Sequence, residues 1–205
     1  MTGSISHTAI IHPNVKLGEN VVIEDYCIIG LPPMKATGSE VTIIGDNAWI
    51  RSHSVIYAGN KIGQRFATGH QVSIREFNEI GDDVSIGTKT VIEHHIRIGN
   101  RVRIHSAAFV PEYTEIEEDA WIGPNVVLTN AKYPKSPDVK NNLKGALVGR
   151  KAKIGANATI LPGIKLGQNS LVGAGSVVTK DVEENAVVIG NPAKPANYLG
   201  NLPYS

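Results

Sequence analysis

Every sixth residue is aliphatic over most of this 205-residue chain. Stepping by six from Ile44 gives Ile50, Ile56, Ile62, Thr68, Ile74, Ile80, Ile86, Ile92, Ile98, Ile104, Val110, Ile116, Ile122 and Leu128, with Thr68 the sole exception. The same beat runs from Ile5 to Ile29 in an earlier register and from Val148 to Val178 in a later one. A 3.6-residue helix does not select such positions, and neither does an alternating strand. Gly often follows the aliphatic, and Gly45, Gly63, Gly81 and Gly99 recur 18 residues apart. The residue four after the aliphatic is usually small or β-branched, as in Ala48, Ser54, Val72, Thr90, Ala108 and Thr114. A six-residue unit cannot bury its apolar side chain alone, so the units must stack on one another.

The arrangement that satisfies this pattern is all-β. Each hexad forms a short strand and a turn, and three hexads close a triangular coil of 18 residues in a parallel β-helix. The repeating aliphatics point inward and stack on their equivalents one coil away, with Gly and small residues expected to permit the corners. The 26 hexads from Ile5 to Val178 make a prism of about 8.7 coils and roughly 40 Å. Residues 1–182 are predicted to form this domain, with excursions at 31–40 and 129–147. The first excursion carries Pro32, Pro33 and Gly38, and the second carries Pro134 and Pro137. Residues 183–205, with Pro192, Pro195, Gly200 and Pro203, are expected to form an irregular C-terminal cap.

Composition narrows the function classes. A formal charge of +1 argues against a nucleic-acid or other polyanion partner. No apolar run approaches the length of a membrane span. The N-terminal residues Thr2, Ser4, Ser6 and His7 do not form a basic-then-apolar leader. Cys27 is the sole cysteine, so an intrachain disulfide is excluded and a reducing, cytoplasmic setting is expected.

Residues 18 apart should lie above one another, which turns the period into a contact map. One ladder stands out: Glu76, His94, Glu112 and Asn130. A histidine between carboxylates is held in one tautomer and its protonated form is stabilised, which suits a general base near neutral pH. A solvated polar edge would show the same pattern. The other histidines stack differently: His53 with Gln71 and Lys89, His70 with Ser52 and Thr88, and His105 with Gly87 and Gly69, none of them on an acid. His95, next to His94, could face a subunit neighbour. A zinc site of the hexapeptide-class carbonic anhydrases would use two histidines five apart, and His53, His70, His94, His95 and His105 contain no such pair.

Over nearly its whole length the chain resembles the hexapeptide-repeat acyltransferases. The stretch Ile92-Glu93-His94-His95-Ile96-Arg97-Ile98-Gly99-Asn100 resembles bacterial amino-sugar N-acetyltransferases and the acyltransferase that begins lipid A synthesis. In those families a His followed by an acid is the base. The resemblance puts His94 at the base and His95 where the acid stands. One coil further those families have a Gly whose N–H faces the acyl carbonyl, and here that position is Glu112. The segments 123–130, 155–160, 173–182 and 190–194 resemble nucleotide-linked 3-amino-sugar N-acetyltransferases, whose Thr-Asn pair sets an Asn beside the sugar amine, matching Asn130. Galactoside and maltose acetyltransferases carry a His in the long excursion, and none occurs between Thr129 and Val148.

The resemblance implies a left-handed winding and a homotrimer, with acetyl-CoA laid in a groove between prisms. Gly155, Ala156 and Ala174 would line the pantetheine arm, and Lys180 and Lys194 would meet the CoA phosphates. It further implies transfer of acetyl to the amine of a nucleotide-linked amino sugar. His94 would be the general base, Glu112 and Glu76 would orient it, and Asn130, Glu76 and His95 would contact the acceptor. O-acylation, transfer of a longer acyl chain, a zinc carbonic-anhydrase-like protein and an inactive trimeric scaffold are the alternatives.

Overall fold

The computed structural model describes residues 3–203; Thr2 lies outside the described residues. Each of the 26 hexads forms one short strand, from Ser4–Ile5 to Val177–Val178, mostly two residues long. The strands build three parallel sheets, which are the faces of the prism. In each coil the chain visits the first face (Ile50, Thr68, Ile86), then the second (Ile56, Ile74, Ile92), then the third (Ile62, Ile80, Ile98), and the pairing step is 18 residues, as in Ile74 with Ile92 and Ile80 with Ile98.

Two side chains per hexad fill the interior. The repeating aliphatics from Ile23 to Val178 are buried, and so, away from the two excursions, is the residue four positions on, whether Ala48, Ser54, Phe66, Val72, Thr90 or Ala108. Burying a side chain of Ile size stabilises by roughly 1.5–3 kcal/mol, so the stack of isoleucines dominates the energetics. The corners depart from expectation. The left-handed backbone falls on non-glycine residues three after the aliphatic, among them Asn47, Arg65, Asp83, Arg101 and Ala107. The glycine directly after the aliphatic serves coil spacing instead: a Cβ on Gly45 would lie 2.6 Å from the Gln64 nitrogen and 2.7 Å from the Gly63 carbonyl carbon.

Both excursions leave the same edge. Leu17 pairs with Ile44 and Ile116 with Val148, so each insertion lengthens one coil and the chain rejoins the third face after leaving the second at Ile29 or Leu128. The C-terminal segment is more regular than the Pro and Gly content suggests. Ala186–Gly190 pairs parallel with the first-face strand at Leu171–Val172, and Ala193–Tyr198 returns antiparallel along it. The prolines are tolerated because this second strand is the sheet edge. Among the described residues, no helix is long and apolar enough to cross a membrane.

Candidate functional site

The edge between the second and third faces collects the polar ladder and both loops. Position two after the second-face aliphatic is the corner, which places Glu76, His94, Glu112 and Asn130 in line along it. Three of the four form a connected chain. Asn130 Nδ2 donates to Glu112 Oε2 at 2.6 Å. The other carboxylate oxygen, Oε1, lies 3.6 Å from His94 Nε2, and His94 Nδ1 lies 2.9 Å from His95 Nδ1. His94 and Glu112 are each about one-quarter exposed, so they are partly desolvated yet reachable.

Glu76 does not complete this chain as expected. Its carboxylate is held bidentately by Arg75, with Nε and one terminal nitrogen each 2.9 Å from an oxygen. Burial works against ionisation, but the hydrogen bonds and charge of Arg75 prevail and hold Glu76 below the ordinary 4.5. Arg75 also reaches Glu93 at 3.6 Å and lies over the Tyr57 ring at 5.0 Å. Sequence reasoning missed this cluster, although Tyr57, Arg75 and Glu93 are themselves 18 apart. A third ladder one position on, Phe77, His95 and Tyr113, presents rings to solvent, with His95 centred 5.4 Å from Phe77 and 5.9 Å from Tyr113. These rings border a cavity of about 390 Å³, whose floor carries Glu79, Arg97 and Glu115 of the third face.

Two buried amides shape this corner from inside. Asn60 and Asn78 both donate to the Arg75 carbonyl at 2.8 Å, and Asn78 Oδ1 accepts the Ile96 N–H at 2.8 Å. Asn78 thereby ties the backbone just after His95 to Arg75 of the preceding coil. The loops wall the edge at either end. Leu31, where the first excursion opens, accepts the Ala58 N–H at 2.9 Å. The second returns over Tyr113, where a Cβ on Gly145 would lie 2.3 Å from the Tyr113 carbonyl carbon.

The residues expected to hold acetyl-CoA are spread more widely. Gly155, Ala156 and Ala174 share the edge between the first and second faces, where a Cβ on Gly155 would meet the Ala174 nitrogen at 2.5 Å. Lys180 stands on the ladder edge, and Lys194 lies in the C-terminal hairpin opposite Ile189. Ile189 abuts Gly173, the neighbour of Ala174, so of these five residues only Lys180 stands on the other edge.

The histidines near the first excursion depart from the 18-residue map. His70 was expected to stack on no acid, yet its Nδ1 lies 4.0 Å from Glu24 Oε2 and 2.9 Å from Ser52 Oγ. His53 stacks on Tyr26 with centroids 5.0 Å apart. The inserted residues move the contacts of this coil from 18 to 27 positions back, which hid both partners from an 18-residue map.

Comparison with known proteins agrees with this architecture. A family model described as bacterial transferase hexapeptide (six repeats) matches residues 145–180. The galactoside O-acetyltransferase of Lactococcus lactis is 43% identical over 74 residues, 33% of this chain and 35% of that protein. The chain thus aligns with about a third of the length of that curated relative. LpxA, a UDP-N-acetylglucosamine acyltransferase from Bacteroides fragilis, superposes over 97% of this chain and 76% of its own with a TM-score of 0.78 and 19% identity. The Arabidopsis UDP-N-acetylglucosamine acyltransferase does so over 97% and 75%, with a TM-score of 0.56 and 18% identity. At these identities the superpositions show the fold alone, that of a left-handed β-helix. Residues 145–180 thus carry the repeat of the bacterial hexapeptide transferases, and the rest of the chain continues the same fold.

Proposed function

We propose that the protein is an acetyl-CoA-dependent N-acetyltransferase acting on the amine of a nucleotide-linked amino sugar, as a cytoplasmic homotrimer. The observation that carries this reading is the chain Asn130–Glu112–His94 on an edge walled by both excursions. Acetyltransferase relatives and the resemblance of segments 123–130 and 173–182 to amino-sugar enzymes support it. Asn130 would position the amine, and the His94 pair would accept its proton as the nitrogen attacks the thioester carbonyl. Glu112, anchored by Asn130, would balance the charge that develops on His94. Gly155, Ala156 and Ala174 would let the pantetheine arm approach the backbone, and Lys180 and Lys194 would meet the CoA phosphates. Because Lys180 lies on a different edge from the other four, a groove between two prisms would be needed to gather them, which favours the trimer.

O-acylation is the second reading, supported by the identity to a galactoside O-acetyltransferase. The absence of a His between Thr129 and Val148 weighs against it for simple sugars. Thiol release from acetyl-CoA, measured with UDP- and dTDP-linked amino sugars and with galactosides, separates the two readings. Turnover confined to the amino sugars is expected. Turnover with galactosides alone, or with no acceptor, would overturn the proposal, and sedimentation showing a fully active monomer would remove the shared groove.

A further inference from the structure

The geometry of the edge assigns the protons of its two histidines. The Nδ1 atoms of His94 and His95 are 2.9 Å apart, and neutral imidazole nitrogens that close must share one proton, one donating and the other accepting. The far side of His94 decides which. There Nε2 faces Oε1 of Glu112 at 3.6 Å, and a bare lone pair against a carboxylate is repulsive. His94 therefore carries its proton on Nε2 and accepts at Nδ1. The proton between the rings belongs to His95, which leaves His95 Nε2 unprotonated. Among the described residues no protein group hydrogen-bonds that nitrogen.

Resting on the acetyltransferase reading, we infer that the proton of the attacking amine enters at His95 Nε2, and that His94 is the positioning residue through which Glu112 acts. The step balances. As the amine nitrogen bonds to the thioester carbon, its N–H bond breaks and an Nε2–H bond forms on His95. The Nδ1 proton of His95 passes to His94 Nδ1, so the positive charge rests on His94 beside Glu112. When the C–S bond breaks, the transfer reverses and His95 Nε2 delivers a proton to the departing sulfur. One proton moves from nitrogen to sulfur, and nothing is oxidised or reduced.

The surroundings of His95 suit this role. It borders the cavity of about 390 Å³ together with Phe77 and Tyr113, whereas both nitrogens of His94 face protein groups. Burial, reinforced by the nearby His94 and opposed by Glu76, holds the His95 pKa below the ordinary 6.5. The remaining charged groups facing the cavity are Glu79, Arg97 and Glu115.

Two measurements test the inference. In the full chain labelled with ¹⁵N at histidine, long-range ¹H–¹⁵N spectra above pH 7 report which ring nitrogen is protonated. The expected result is His94 as the Nε2–H tautomer and His95 as the Nδ1–H tautomer. His95 found as Nε2–H overturns the assignment. In steady-state acetylation of an amino sugar, His95→Gln should lower kcat by about 10²–10⁴, with a smaller loss in His94→Gln. Near-normal turnover of His95→Gln with a large loss in His94→Gln would return the base to His94. Failure of the wild type to acetylate any amine would instead refute the acetyltransferase reading, and the tautomer spectra would still decide the proton assignment.

Discussion

Removing the amide of Asn78 tests whether burial controls the strength of the corner beneath the site. In Asn78→Ala the donor to the Arg75 carbonyl is lost, although that carbonyl keeps its bond from Asn60. The Ile96 N–H, whose acceptor is Asn78 Oδ1 at 2.8 Å, loses its partner in a fully buried setting. The first loss is worth about 1 kcal/mol and an orphaned buried donor about 1–3 kcal/mol, so the variant should be destabilised by about 2–4 kcal/mol. Asn100→Ala is the matched control. Asn100 Oδ1 accepts the Asp82 N–H at the same 2.8 Å one coil away, but on an exposed corner where water can replace it. Its loss should cost less than about 1 kcal/mol. Urea unfolding of both variants at one fixed protomer concentration gives the comparison, because association shifts apparent stability. Equal losses in the two variants would refute the argument from burial.

Three further outcomes are expected. Glu76 is held below its ordinary 4.5 in the fold, so its stabilising contribution is present above about pH 4.5 and is lost as the pH falls through the folded value. Glu76→Gln should therefore flatten the acid side of a stability–pH curve, and an unchanged slope would show that the Arg75 clasp is not coupled to folding. Ala107 is an exposed alanine with φ 59°, a conformation that costs an L-residue about 1–2 kcal/mol. Ala107→Gly should raise the melting temperature after the opposing chain-entropy term of about 0.4–1 kcal/mol is subtracted; a lowered value would contradict this. Gly45→Ala would drive a Cβ into the backbone of the next coil at 2.6–2.8 Å, so it should destabilise strongly even though φ at Gly45 is not positive. Circular dichroism melting that matches the wild type would refute it.

The hexad period determined the coil, the three faces and the vertical order of Glu76, His94, Glu112 and Asn130, because stacking of inward isoleucines fixes each backbone position to within one rung. The same arithmetic held the two ladders that were overlooked, at Tyr57, Arg75 and Glu93 and at Phe77, His95 and Tyr113. Across the first excursion it failed, since an insertion changes which residues lie above one another, and His70 meets Glu24 for that reason. Tertiary structure decided the partners of the long side chains. A period places the Cα of Glu76 below His94, yet the Glu76 carboxylate swings to Arg75, whose guanidinium offers two hydrogen bonds and a full charge. Glu112 instead takes Asn130 and faces His94. The glycines were legible as a pattern but not in their role. Only the separation of successive coils shows that Gly45 answers to the backbone above it, while Asn47 makes the turn.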